Sequence, residues 1–361
     1  MYRKAAHRLQ QLSARTARFT EQSRFSSALS TQSFPRRAYT LHIAASWAGK
    51  PVDAQTKQHA KPFASTSEIG AWRDQTLAAN NSLGVADAGE DFFYIEQMRN
   101  GSGLAFGLAD GVGGWNLNGF DPALFSQALM YHASRFSRES WVGEPEIDPT
   151  QELEEREHIE GRELTPLDCL RRSYPAVVKE ESVEAGSSTA CLLSFNNSSG
   201  LLRASNLGDS GFSIVRSSTL HHRQAVQTHF FNCPKQLTKM PSNPKIRKKF
   251  ARTCMDMPEA ADNYESNLRD GDIVVAYTDG FSDNVFPSEM VSISSLVARA
   301  GGTEDEQVRA MADRMVVYAL QCMHNTKRPS PFQRDAARHG YHFRGGKEDD
   351  VTVIVGLVRE N

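Results

Sequence analysis

Short apolar runs separated by turn residues organise most of the chain. Phe92–Gln97 and Leu104–Ala109 read as two strands, and the Asn100-Gly101 pair between them signals a hairpin. Ala190–Phe195, Leu201–Leu207 and Phe212–Arg216, joined by Asn, Ser and Gly turns, predict a three-strand meander. Further strands are expected at Thr40–Ser46, Asp272–Tyr277 and Val351–Val358. The period changes after Pro122, where Ala123, Leu124, Ala128, Leu129 and Ala133 recur at helical spacing. Helices are also expected at Pro287–Ala300 and Glu304–Cys322. Two stretches break the pattern. Residues 144–163 are Glu-dense and read as an exposed helix-loop insertion. In residues 233–265, Pro234, Pro241, Pro244 and Pro258 surround the basic run Lys245, Arg247, Lys248, Lys249 and Arg252. That predicts a long irregular loop, of the kind that is usually functional or mobile. Strands and helices in separate runs, without strict alternation, point to an α+β sandwich.

Composition adds bounds. The 361 residues, 39% of them hydrophobic and 23% charged, allow a dry core in one large domain or two small ones. Lys plus Arg number 41 and Asp plus Glu 43. The charges are unevenly spread: residues 1–39 hold Arg3, Lys4, Arg8, Arg15, Arg18, Arg24, Arg36 and Arg37 against Glu21 alone. The remaining body is therefore acidic, which argues against electrostatically driven nucleic-acid binding. No apolar stretch approaches the roughly 20 residues needed to span a bilayer. The five cysteines are scattered and lack a CxxC pair, which excludes a disulfide framework or a thiolate zinc site and fits a reducing compartment.

The leader has the composition of a mitochondrial transit peptide: Arg and Ser, almost no acid, and no long apolar run. Wound as a helix, residues 2–19 place Ala5, Leu9, Leu12 and Phe19 beside Arg8, Arg15 and Arg18. Arg37-Ala38-Tyr39 before Thr40 resembles a matrix-protease cleavage site. The expected address is the mitochondrial matrix; a disordered basic tail is the plainer alternative.

The candidate chemistry lies in acids at strand ends. Asp110-Gly111 follows Leu104–Ala109, and Asp279-Gly280 follows Ile273–Thr278. Asp349-Asp350 precedes Val351–Val355, and Glu90-Asp91 precedes Phe92–Ile95. A single Asp-Gly is usually a turn. Four strands each delivering a carboxylate would, as neighbours, build a pocket whose repulsion demands cations. All-oxygen ligation suits hard ions, Mg²⁺ or Mn²⁺, and two such ions would suit phosphoryl hydrolysis.

These motifs resemble the metal-dependent serine/threonine protein phosphatases of the 2C family over about residues 84–358. In family order they are Gly89-Glu90-Asp91, Ala109–Trp115, Gly186–Ala190, Asn206–Gly211, Thr278–Asn284 and Lys347–Val353. Gly111–Trp115, Phe230-Phe231-Asn232, Ser330-Pro331-Phe332 and Arg344–Lys347 are similar to its mitochondrial branch. The resemblance implies an αββα sandwich of two packed antiparallel sheets flanked by helices, with the metals at one end. It divides the chain into the leader at 1–39, an N-terminal extension at 40–83 and a phosphatase domain at 84–361 carrying a flap at 233–265. It implies a monomer that hydrolyses phosphoserine and phosphothreonine in mitochondrial metabolic proteins through a metal-bound hydroxide. Asp110 would bridge two ions and Gly111 would offer its carbonyl. Asp279 and Asp349 would complete the other ion's shell, Glu90 and Asp91 would hold metal-bound waters, with Asp91 in closer contact, and Asp283 would sit beside a weaker third ion. Asp209 reads as a turn cap, and Ser188 and Thr189 as packing.

Three positions depart from the family pattern. Val112 stands where a candidate proton-donating His is usual, Ala86 where an Arg grips phosphate, and Glu184 where a third-metal Asp is usual. Leaving-group protonation and phosphate grip then need other donors; water and the basic 245–252 loop are the candidates. That loop either recruits an acidic phosphoprotein or is a solvated charge run. Two rival readings remain. Cys322 and Arg328 satisfy the C-x5-R spacing of a cysteine phosphatase, although the residues between them lack glycine. A catalytically weak or inactive scaffold on the same fold is the non-enzymatic alternative.

Overall fold

Neighbouring side chains on the central strands point into two different apolar cores, which is why the sequence shows unbroken apolar runs. The computed structural model describes residues 38–51, 61–143 and 163–361. The leader up to residue 37 and the acidic stretch at 144–162 therefore fall outside the described residues. One five-stranded antiparallel sheet has the order β12-β6-β5-β3-β2, with β2 at Asp91–Gln97, β3 at Gly103–Asp110, β5 at Ala190–Asn196, β6 at Leu201–Leu207 and β12 at Asp262–Asn267. The other has the order β1-β14-β13-β7-β8, with β1 at Tyr39–Ala48, β7 at Gly211–Arg216, β8 at Thr219–Arg223, β13 at Ile273–Tyr277 and β14 at Val351–Glu360.

Phe93, Phe106, Leu193, Val274, Ala276 and Ile354 fill the space between the sheets. On the outer face of the first sheet, Phe92 and Tyr94 pack with helices α2 (Pro122–Arg138) and α3 (Pro166–Lys179). On the outer face of the second, Val275, Tyr277 and Val353 pack with α6 (Pro287–Ala300) and α7 (Glu304–Met323). The layers are therefore helix, sheet, sheet, helix, as expected. Helix α2 begins where the sequence places it: Pro122 supplies a fixed φ in the first turn, and the Asp121 carboxylate accepts from the Ala123 N–H at 3.0 Å. The Asn100 hairpin signal also appears, with Asn100 at φ 52° in a short turn between β2 and β3.

Two expectations are corrected. The meander does not continue past β6: β5 pairs with β6, but β7 leaves that sheet and pairs with β13 and β8 in the other. The crossing is made at Gly208, whose φ of 106° no branched residue holds comfortably, and where a Cβ would come within 2.7 Å of the Lys235 carbonyl. Nor is the 40–83 segment an extension outside the domain. Strand β1 pairs with β14 from Tyr39↔Glu360 to Ala48↔Val351 and puts Trp47 between the sheets. Helix α1 (Glu68–Asn80) stacks Trp72 on Phe92 and on Tyr131 of α2, with ring centroids 5.3 and 5.5 Å away.

The 233–265 stretch is less irregular than expected. It holds β10 (Cys233–Pro234), paired with β9 (Thr228–Phe230), and β11 (Leu237–Lys239), paired with β4 (Gly186–Ser188). The helical turn α4 (Pro244–Arg247) follows, and β12 has already joined the sheet by Asp262.

The integral place of β1 generates a prediction. Trp47→Ala should cost about 3–5 kcal/mol in chemical denaturation, because a fully enclosed aromatic is lost. Removing residues 1–37, which stops short of β1, should leave the unfolding midpoint unchanged. Removing residues 1–49 should abolish the cooperative transition.

Candidate metal centre

The register of each sheet brings its acids to the same end of the sandwich. Asp91 opens β2 opposite Asp110, which closes β3. In the other sheet, Asp279 follows β13, and Asp349 and Asp350 precede its neighbour β14. Hydrogen bonds then tie the two sheet ends together. The Thr278 hydroxyl donates to Asp91 Oδ2 at 2.8 Å and accepts from the Thr352 N–H at 3.0 Å. The Glu90 N–H donates to Asp350 Oδ2 at 3.0 Å, and the Gly111 N–H donates to the Glu90 carbonyl at 3.1 Å. Gly89 is required here: its φ is +70°, and a Cβ would lie 1.8 Å from Asp350 Oδ1.

Three carboxylates converge most closely. One oxygen each of Asp110, Asp209 and Asp279 lies within 4.8 Å of the others. Asp209 therefore reaches the cluster, where the sequence reading had placed only a turn cap. The β6-to-β7 crossing carries it there; a Gly-Asp after an apolar strand is in the sequence equally the mark of a tight turn. Ser188 and Thr189 also do more than pack. The Thr189 hydroxyl accepts from the Asp110 N–H at 3.1 Å and shares a 2.7 Å hydrogen bond with Ser210.

Two lysines flank the acids. Lys50 Nζ lies 2.8 Å from Glu90, 3.1 Å from Asp349 and 3.2 Å from Asp350. Lys347 Nζ lies 2.5 Å from Asp279, 2.9 Å from Asp283 and 3.1 Å from Asp349. Burial opposes their charge, but the surrounding carboxylates outweigh it and hold both ammonium groups above the ordinary lysine range. Lys50 was absent from the sequence reading, because nothing local to residue 50 shows that β1 ends beside the acids.

The lysines leave most of the acid charge uncompensated. Burial first, then neighbouring carboxylates, push Asp91, Asp110 and Asp209 well above the carboxylate range. Burial raises Asp283 to about 7 and Asp350 to about 6 against the opposing lysines. Asp279 runs the other way: burial would raise it, but Lys347 prevails and holds it low. Asp91 Oδ1, Asp209 Oδ1 and Asp279 Oδ1 are buried without a hydrogen-bond partner. Enclosed, partnerless carboxylate oxygens with no nitrogen or sulfur donor among them fit a hard divalent cation.

A cleft of about 500 Å³ opens beside Glu90 and Asp350. Ala86 lines it together with Lys50 and Arg73, so cations stand in the cleft although position 86 offers none. A second cleft of about 550 Å³ holds Asp209 and Asp283 beside Arg223 and Arg334. Val112 offers no proton; its backbone N–H donates to the Ser187 carbonyl. Glu184 is not with the other acids. It is exposed, in a separate cleft with Thr238, Lys239 and Arg247. The cysteine rival fails on geometry: Cys322 is enclosed in α7, burial raises its thiol, and Arg328 is held by Glu289 and the Asn284 carbonyl.

No family model matches the sequence. Individual relatives do. A Drosophila willistoni protein phosphatase PTC7 homolog is 35% identical over 271 residues, 75% of this chain and 77% of its own. The human PTC7 homolog is 32% identical over 75% of this chain and 80% of its own. The 5-azacytidine resistance protein azr1 of Schizosaccharomyces pombe is 33% identical over 77% and 84%. Among solved structures, the photosystem II phosphatase PBCP shares the fold, with a TM-score of 0.58 and 24% identity over 88% of this chain and 98% of that one. With such similarity across three quarters of both chains, on this sandwich and with this order of acids, the protein belongs to the PTC7 branch of the 2C-type serine/threonine protein phosphatases.

Proposed function

We propose that the protein hydrolyses phosphoserine and phosphothreonine in mitochondrial proteins and depends on Mg²⁺ or Mn²⁺ to do so. The convergence of Asp110, Asp209 and Asp279, with partnerless buried oxygens on Asp209 and Asp279, carries this reading. Asp110, Asp279 and Asp349 would hold two ions together with the Gly111 carbonyl. Glu90 and Asp91 would bind water around them, and Asp283 would serve a weaker third position. Bound there, divalent ions supply acidified water and neutralise charge on the phosphoryl group.

The chain itself supplies position. Thr278 and Thr189 hold the Asp91 carboxylate and the Asp110 backbone, so the acids cannot spread apart to relieve their repulsion. Lys50 and Arg73 in one cleft, and Arg223 and Arg334 in the other, bring positive charge to phosphate arriving at the acids. With valine at position 112, the leaving alkoxide takes its proton from water in the open cleft. The exposed basic residues of the flap lie near this entrance, because Phe250 at their centre stacks on Trp115 with centroids 4.5 Å apart. The leader supports mitochondrial delivery.

Asp110→Asn or Asp279→Asn should lower phosphopeptide turnover by more than the ~10–100-fold typical of losing a group one step from a metal. The metal-free Asp110→Asn variant should melt no lower than the parent, since carboxylate repulsion falls, whereas Asp279→Asn takes a partner from Lys347 and should melt lower. Undiminished turnover in excess chelator would overturn the metal reading.

Without metal, stability should fall as pH rises through the range of the raised carboxyl groups. The folded protein binds the Asp283 and Asp350 protons more tightly than the unfolded chain, whose aspartates titrate near 3.9. Their contribution is complete below about pH 4 and is lost as pH rises through about 6–7. Thermal unfolding in chelator should therefore show a falling midpoint from pH 5 to pH 8. Added Mg²⁺ or Mn²⁺ should raise the midpoint most at the alkaline end. A midpoint gap independent of pH would count against ion binding at these carboxylates.

Removing residues 1–37 should leave catalysis intact in vitro while a tagged protein accumulates outside mitochondria. Matrix delivery of the truncated protein would refute the transit reading.

A further inference from the structure

We propose that Cys233 and Cys254 form a reversible disulfide that clamps the root of the flap when the protein meets a hydroperoxide. Their sulfurs lie 3.7 Å apart, with the Cys233 thiol donating to the Cys254 sulfur. Both are half-buried, whereas Cys169, Cys191 and Cys322 are enclosed, so this pair alone among the cysteines is open to a small oxidant.

The backbone around the pair is already fixed. The Gln236 N–H donates to Asp256 Oδ2 at 3.0 Å, the Asp256 N–H donates to the Gln236 carbonyl at 2.9 Å, and the Thr238 hydroxyl donates to the Cys254 carbonyl at 3.2 Å. The two flanks of the flap thus run side by side at its root. A disulfide requires the sulfurs to close from 3.7 Å to ~2.05 Å. The pair is not a ready metal site. Among the described residues, the only three-donor cluster is that of Asp110, Asp209 and Asp279.

The chemistry balances with a hydroperoxide as oxidant. The Cys254 thiolate attacks one peroxide oxygen, the O–O bond breaks, and the departing alkoxide or hydroxide takes a proton to leave as alcohol or water. Cys254 is then a sulfenic acid. The Cys233 sulfur attacks it, its proton goes to the departing hydroxyl, and water leaves as the S–S bond forms. Two electrons pass from the thiols to the peroxide. Burial and the hydrogen bond to Cys254 push the Cys233 thiol up to about 11, which suits it to the second step rather than the first.

The crosslink would turn residues 234–253 into a covalent loop. That loop contains α4, the basic run and Phe250, which stacks on Trp115 in the segment that follows Asp110. Lys235, just inside the clamp, holds Gln227 through its N–H and lies against Gly208, next to Asp209. A disulfide therefore restrains the flap against the turn that delivers one of the three clustered acids.

The test uses the full chain treated with one equivalent of hydrogen peroxide and then analysed by intact mass and non-reducing peptide mapping. Expected are the loss of two titratable thiols, a peptide linking Cys233 to Cys254, and severalfold slower trypsin cleavage within residues 245–252. Dithiothreitol should reverse all three. Cys233→Ser and Cys254→Ser, on opposite sides of the pair, should each abolish the linked peptide and the protection. A monomer whose Cys254 advances to sulfinic acid without crosslinking would overturn the proposal, as would linkage only between chains or unchanged trypsin cleavage in the crosslinked protein. One equivalent of zinc retained by the parent and lost by both variants would replace it with a metal site. These readouts are covalent, so their failure is distinct from failure of the phosphatase reading.

Discussion

Repulsion among carboxylates crowded at one end of two packed sheets is the interaction around which this protein is arranged. At 4 Å and an effective dielectric near 20, each like-charged pair costs about 4 kcal/mol before other charges are counted. Glu90, Asp91, Asp110, Asp209, Asp279, Asp283, Asp349 and Asp350 share that end with the ammonium groups of Lys50 and Lys347. Two positive charges cannot neutralise eight carboxyl groups. The raised positions of Asp91, Asp110 and Asp209 express what is left over, and divalent cations are the species that would remove it. A fold selected for stability alone would not gather these groups, so their presence marks chemistry rather than architecture.

The sandwich keeps the cluster from dispersing. Each sheet contributes adjacent antiparallel strands, β2 with β3 and β13 with β14, and one strand's beginning lies beside its partner's end. Paired strand ends therefore deliver acids in pairs. The hydrogen bond between Thr278 and Asp91 joins one sheet's pair to the other's, while Gly89 lets the chain pass close enough for Asp350 to bind the Glu90 amide. Enclosed side chains such as Phe93, Phe106 and Ile354 fix the distance between the sheets behind the site. Core packing, and not the acids themselves, sets how near the carboxylates come.

Much of this is legible in the sequence because local signals and tertiary demands agree. Apolar runs mark strands covered on both faces, and acids at their ends mark the active edge. What escaped was set by partners distant in the chain. Whether Phe212–Arg216 extends the first sheet or joins the second depends on β13 and on the Gly208 crossing, and either choice buries the same residues. Asp209 was misread for the same reason, since only the crossing turns a plausible turn cap toward Asp110 and Asp279. Lys50 lies 299 positions from Asp349, its ion-pair partner, and Trp47 beside it looks like any apolar residue in a weakly patterned stretch. The 40–83 segment reads as an extension because its motif content is low, yet β14 would lose its outer neighbour without it.

Specificity must come from outside the metal centre, because ions and carboxylates recognise a phosphoryl group and little of the peptide that carries it. The flap is connected to the acids closely enough to contribute. Trp115 donates its indole N–H to Ser187, Ser187 donates to Gln236 at the flap root, and Asn116 donates to the Glu90 carboxylate. Phe250 closes this circuit from the other side by stacking on Trp115. A protein chain that pressed on the basic flap would therefore press, through one indole ring and two short hydrogen bonds, on the segment that leads out of Asp110. A small phosphate ester would engage the acids and leave that circuit untouched. On the proposed reading, the same scaffold would separate recognition of phosphate, fixed by the sheets, from recognition of the protein bearing it, which the flap is placed to supply.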